Sequence, residues 1–272
     1  MRYLRLGTVI ILVVALFFTG QTIVRDARSD KTPPIICDAQ GSIHISVKDD
    51  PSVMLAGLTA TDDRDGDVTE NIRIERISRL SDDGSVDVSF VVFDNANNMC
   101  RHIRTVFYDD YQSPRFTLTQ PLVYYTGQTV AVMDRLKLTD SLSGDITHKV
   151  KLEASNVNND QVGQYEVSLA AVTDYGDEVH ARLPINIQKY DALAPMIQLS
   201  DYLVYTKVGE PIHPKDYITE IKDFNGFPID INVVFVFNQV DFSKPGGGQF
   251  RLEVSDGDGR TGYSYLSVIV EE

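Results

Sequence analysis

A short pattern recurs three times along this chain: an aspartate, a proline four residues later, then the opening of an apolar-rich stretch. It reads Asp30-Lys-Thr-Pro-Pro34, Asp110-Tyr-Gln-Ser-Pro114 and Asp191-Ala-Leu-Ala-Pro195, with prolines 34, 114 and 195 spaced by 80 and 81 residues. Self-similarity at a fixed period restricts a fold more than composition does, because each copy must be one structural unit stacked on its neighbours. Two further features keep the same phase. An Asp-and-Gly turn follows at residues 61–69, 139–147 and, more weakly, 222–226. Each copy then closes with an alternating strand, a turn rich in Asp, Asn and Gly (94–98, 174–177, 256–259), and a final alternating strand.

Alternation of apolar and polar residues, broken by turn signals every ~8–12 residues, predicts antiparallel strands. No long stripe of 3.6-residue period occurs in the body of the chain. A copy of about 80 residues suits a two-layer sandwich of six or seven short strands. The expected fold class is therefore all-β: three tandem immunoglobulin-like sandwiches at 30–113, 114–194 and 195–272, behind a transmembrane helix within residues 1–29. Short joints with a proline at each start predict limited bending and hence a short stalk.

That N-terminal expectation rests on residues 6–24, an uncharged run of 19 residues between Arg5 and Arg25. At ~1.5 Å per residue it reaches ~28 Å, close to the hydrocarbon thickness of a bilayer. A cleaved signal peptide is the competing reading. It wants small residues at its cleavage site, where Phe18-Thr19-Gly20 offers Phe. Basic residues flank the run on both sides, so they do not orient it.

The repeats resemble the bacterial immunoglobulin-like repeats of Gram-positive surface proteins, relatives of hyalin-type and cadherin-like modules. The resemblance spans residues 30–272 and is carried by Asp191-Ala-Leu-Ala-Pro195, Asp65-Gly-Asp-Val-Thr69 and Asp241-Phe-Ser-Lys-Pro-Gly246. The chain departs from the pattern at Phe227-Pro228 and at Asn98-Met99. The resemblance implies exported, non-catalytic modules used for adhesion or spacing, and so a single-pass protein of the cell membrane with the bulk of the chain extracellular. It leaves the ligand open, since one fold carries many functions.

The acidic turns carry the most chemistry. In such a sandwich the loops after the second strand and before the last emerge where the chain enters. That brings Asp62, Asp63, Asp65 and Asp67 toward Asp94, Asn95 and Asn97, with Asp30 nearby. Clustered carboxylates and amide oxygens suit calcium, which takes six to eight oxygen ligands. The competing reading is that these residues simply form turns. The same logic groups Asp110, Asp140, Asp145, Asp174 and Asp177 in the second copy, and Asp191, Asp223, Asp256 and Asp258 in the third.

Only two cysteines occur, Cys37 and Cys100, in the first and last strands of the first copy. If those strands run side by side a disulfide is expected; otherwise the two are buried thiols. The five histidines are scattered without zinc spacing, and no nucleophile elbow or phosphate-binding loop is present. Gly246-Gly-Gly248 reads as a flexible turn. Tyr124-Tyr125 and Tyr202 with Tyr205 could stack on a sugar or pack in a core.

With 25 basic and 39 acidic residues, a net charge of −14, nucleic acid is excluded as a natural partner. The chain reads as a non-enzymatic, membrane-anchored adhesion or structural stalk whose partners are other surface proteins or glycans. The alternative is a membrane-tethered module recognising a glycan or peptide through its loops. Because Val270-Glu-Glu272 follows a strand directly, no catalytic domain is expected after the repeats.

Overall fold

The computed structural model describes residues 13–19, 30–81 and 83–272. The chain divides into two compact units, 1–109 and 110–272. The first holds β1 (Ile35–Asp38), β2 (Ser42–Ile45), β3 (Leu58–Asp62), β4 (Gly66–Asp67), β5 (Arg73–Ile77), β6 (Ser85–Phe93) and β7 (Met99–Tyr108). They form two sheets, β1-β3-β4 and β2-β7-β6-β5, with β2 parallel to β7 and the other pairs antiparallel. Strand alternation places Leu58 and Ala60 of one sheet, and Val86, Val88, Phe90 and Val92 of the other, in the shared core.

A charged side chain lies deep in that core. Arg104 of β7, in phase with Val106 and Tyr108, is 1% exposed. Its Nε donates to Asp38 Oδ2 (2.8 Å) and Nη2 to Asp38 Oδ1, while Nη1 donates to the carbonyls of Met54 (3.1 Å) and Ala56 (2.7 Å). The guanidinium thus ties β1 in one sheet and the 3-10 turn at Pro51–Leu55 to β7 in the other. The hydrogen bond from Arg104, aided by the backbone N–H groups of Gln40 and Gly41 and by His102, overcomes burial and holds the Asp38 carboxyl well below the usual range.

The second unit holds two further pairs of sheets in chain order. The first pair uses β8 (Arg115–Leu118), β9 (Val123–Tyr125), β10 (Leu136–Asp140), β11 (Gly144–Asp145), β12 (Lys151–Ser155), β13 (Gly163–Val172) and β14 (Glu178–Gln188), as β11-β10-β8 and β12-β13-β14-β9. The second uses β15 (Met196–Leu199), β16 (Leu203–Lys207), β17 (Ile218–Lys222), β18 (Phe235–Asn238), β19 (Gly246–Ser255) and β20 (Thr261–Glu271), as β15-β17 and β16-β20-β19-β18. Both repeat the pairing order of the first unit, including a short strand parallel to the last one, except that the smaller sheet of the second pair has two strands.

Within this unit the two sheet pairs pack directly on each other. Leu203 joins the core built by Phe116, Leu138, Leu169 and Leu183. Asn186 of β14 and Gln249 of β19, 5% and 1% exposed, exchange amide hydrogen bonds of 2.8 and 3.1 Å. Their approach requires glycine: a Cβ on Gly247 would overlap the carbonyl oxygen of Arg182. The glycines 246–248 therefore open β19 rather than forming a flexible turn.

Two other sequence expectations are corrected. Most of residues 6–24 lie outside the described residues. Within them residues 13–19 are helical, and no described helix is long and apolar enough to cross a membrane. On that ground the expected single-pass placement at the cell membrane is overturned, while the transmembrane-helix expectation falls largely on residues outside those described. The disulfide is overturned as well: Cys37 and Cys100 are free thiols, one exposed and one half-buried. The strand beside β7 is β2, whereas β1, carrying Cys37, belongs to the opposite sheet. Unreduced protein, unfolded and treated with a maleimide, should gain two labels per chain by mass; an unlabelled chain would restore the bridge.

Candidate metal centre

Three aspartates converge at one end of the first sandwich. Asp62 closes β3 in the inward phase of Leu58 and Ala60. Asp94 follows β6 in the inward phase of Phe90 and Val92. Because β3 and β6 belong to opposite sheets, the two carboxylates face the same end of the core from both sides. Asp30 arrives on the segment leading into β1. One oxygen from each of Asp30, Asp62 and Asp94 lies within 4.8 Å of the other two.

The loops hold these groups in place. Asp62 Oδ1 accepts the N–H of Arg64 and of Asp65, both at 2.9 Å. Those bonds, with Asp65 contributing most, hold its carboxyl below the usual range, so it is ionised at neutral pH. Its other oxygen, Oδ2, is buried without a hydrogen-bond partner, and the residue is 9% exposed. Asp94 accepts both the backbone and side-chain N–H of Asn98, at 2.7 and 2.6 Å. The Asn98 amide also donates to the carbonyl of Asp30 at 3.1 Å, fastening the incoming segment. Three carboxylates this close repel by about 3 kcal/mol per pair at an effective dielectric of ~20. Arg64, 3.6 Å from Asp30, offsets one of the three charges.

Of the eight residues expected to bind calcium, these three converge. Asp65 and Asn95 staple the two loops instead, the carboxylate accepting the Asn95 backbone and side-chain N–H at 2.7 and 2.8 Å. Asp63 and Asp67 are exposed, and Asp67 accepts the N–H of Thr69. Asn97 occupies the left-handed turn position, φ 66°. Asn98 escaped sequence reasoning, although its departure from the repeat pattern was the available signal.

The two sheet pairs of the second unit do not assemble the same triple. Asp140 matches Asp62 in register and its Oδ1 is likewise buried without a partner, but Thr173 stands where Asp94 would be. There Tyr111 donates to Asp177 (2.6 Å) and Lys149 pairs with Asp174 (2.6 Å). In the last sheet pair Arg260 stands where Asn98 does in the first unit, its guanidinium 3.6 Å from Asp256 and stacked on Phe224. Among the described residues no other group of three His, Cys, Asp or Glu side chains reaches ligand spacing.

No family model matches the chain. Over 226 residues it is 25% identical to the pesticidal crystal protein Cry22Aa of Bacillus thuringiensis, a match covering 79% of this chain and 30% of that protein. The chain therefore spans under a third of the curated relative. Among solved structures it is similar to Drosophila N-cadherin EC1-3 (14% identity, 85% of this chain and 97% of that one, TM-score 0.31). It is also similar to the CBM51-2 and INT domains of Clostridium perfringens ZmpB, solved in complex with GlcNAc (14%, 54% and 26%, TM-score 0.24).

Proposed function

We propose that the chain is a non-catalytic array of three immunoglobulin-like repeats, 30–113, 114–194 and 195–272, with a structural or adhesive role. In this reading a calcium ion held by Asp30, Asp62 and Asp94 locks the incoming segment onto the first sandwich. The observation that carries the cation is the Asp62 Oδ2 atom: an ionised oxygen buried without a donor, beside two further carboxylates. Leaving such a group unpaired is costly, and a hard cation satisfies all three oxygens together. Neutral Asn98, in place of the Arg260 of the third copy, leaves the first site open to an external ion. A match confined to under a third of a larger relative also supports a module reused in different proteins.

Calorimetry and thermal unfolding of the full chain, with calcium or chelator, test this. Calcium at 100 times its Kd adds about 2.7 kcal/mol to the first unit, raising its midpoint on the order of 10 °C. The near-isosteric Asp62→Asn and Asp94→Asn should abolish both heat and shift. No heat and no shift in the wild type, or undiminished binding by Asp62→Asn, would end the proposal.

A further inference from the structure

The second unit contains a cleft of about 1040 Å³, in the size range of small-ligand sites. It opens where the outer part of β20 and the start of β15 meet the ends of β9 and β14. Strand alternation supplies its wall: Tyr263 and Tyr265 fall on one face of β20, with Ser264 and Leu266 on the other. Tyr125 of β9 and Tyr190 of the connection after β14 meet edge to face, centroids 4.8 Å apart. These rings stay available: Tyr125, Tyr190 and Tyr263 are 37%, 68% and 41% exposed. By contrast Tyr124, the neighbour read with Tyr125 as a stacking pair, is buried beneath the Arg135 guanidinium.

Polar groups complete the wall. Gln188, Gln198 and Gln239 line it, and Gln188 is oriented by donating to Tyr265 Oη at 2.7 Å. One wall atom, Arg251 Nε, is buried without a hydrogen-bond partner. These features restrict the ligand. Arg135 donates to the carbonyls of Pro121 and Val123 (2.6 and 2.7 Å), and Arg251 pairs with Glu253 (3.4 Å) beside the Phe237 and Tyr263 rings, which leaves its Nε as a donor for a ligand oxygen. At the rim Lys189 and Asp191 offset each other in sign. A wholly apolar ligand would strand the amides and hydroxyls. A pyranose has an apolar C–H face for a tyrosine ring and a rim of hydroxyls for side-chain amides. The geometry points to a neutral carbohydrate as the ligand of this cleft, independent of the cation site of the first unit.

Titrating the full chain, in chelator, with the β-1,4-linked tetramers of glucose and of N-acetylglucosamine and with maltotetraose tests this. Tyrosine emission reports it without interference, since the chain has no tryptophan. At least one tetramer should bind saturably with a Kd on the order of 1 mM or tighter. Tyr190→Ala and Tyr263→Ala should each weaken binding about tenfold at an unchanged unfolding midpoint, because the lost rings are exposed stacking surfaces. Absence of saturation by all three sugars to ~10 mM, wild-type binding by both alanine variants, or binding of inorganic phosphate in place of the sugars would overturn the assignment.

Discussion

Arg104→Met is expected to destabilise the first unit by roughly 3–5 kcal/mol, the cost of removing one partner from a buried ion pair. Methionine fills much of the arginine volume, so the loss is electrostatic. It leaves the Asp38 carboxylate, 5% exposed, with only backbone N–H groups and the half-exposed His102 to hold it, and strips the carbonyls of Met54 and Ala56 of their donor. Asp38→Asn should cost a similar amount from the other side. The double change Arg104→Met with Asp38→Leu should recover a large part, because two apolar groups need no pairing. Denaturant unfolding reads this directly, and equal stability of Arg104→Met and wild type would contradict it.

The pH dependence follows from the same pair. The folded pKa of Asp38 lies below its unfolded value of ~3.9, so its stabilisation is complete above that value and declines as pH falls further. Wild-type unit 1 should weaken below about pH 4, and Asp38→Asn should flatten that part of the profile. A parallel profile in the variant would show that other carboxylates control acid unfolding.

Gly247→Ala should break the packing of β14 on β19 in the second unit. The added methyl would overlap the Arg182 carbonyl, which is fixed in the antiparallel ladder of β13 and β14 and cannot turn aside. Overpacking a close site costs about 1–3 kcal/mol and more when only backbone can move. Retreat of β19 by the width of a methyl would also pull Gln249 from Asn186 and leave both buried amides short of a partner. Gly262→Ala should behave alike, since its Cβ would overlap the carbonyl of Pro195. Gly257→Ala is the control: nothing lies within 4 Å of its Cβ, and a change within ~0.5 kcal/mol is expected. Unfolding of unit 1 should be untouched by all three; a Gly247→Ala chain as stable as the control would refute the close approach.

Several elements were legible in the residues. The period of 80 and 81, the acidic turns and the alternation of the closing strands correspond to successive pairs of sheets with one pairing order. Part of the aspartate cluster could be read the same way, since an aspartate continuing the inward phase of Leu58 and Ala60, or of Phe90 and Val92, stands out from one in a solvent-facing turn. Arg104 shows the limit. On β7 the opposite phase carries Ile103, and a hydropathy reading turns that face inward; instead Ile103 is 61% exposed and Arg104 is buried. A one-residue choice of phase exchanges every side chain between faces, and here the carboxylate of Asp38 on another strand decides it.

The amino-acid order alone determined the β class and the turn chemistry, because turns and alternation depend on neighbours a few residues apart. Only the tertiary structure decided that β2 rather than β1 lies beside β7, which three of eight candidate ligands converge, and that Gly247 lies against Arg182. Each is a meeting of segments tens of residues apart, fixed by which sheet edges and faces pair, and no local pattern encodes that pairing.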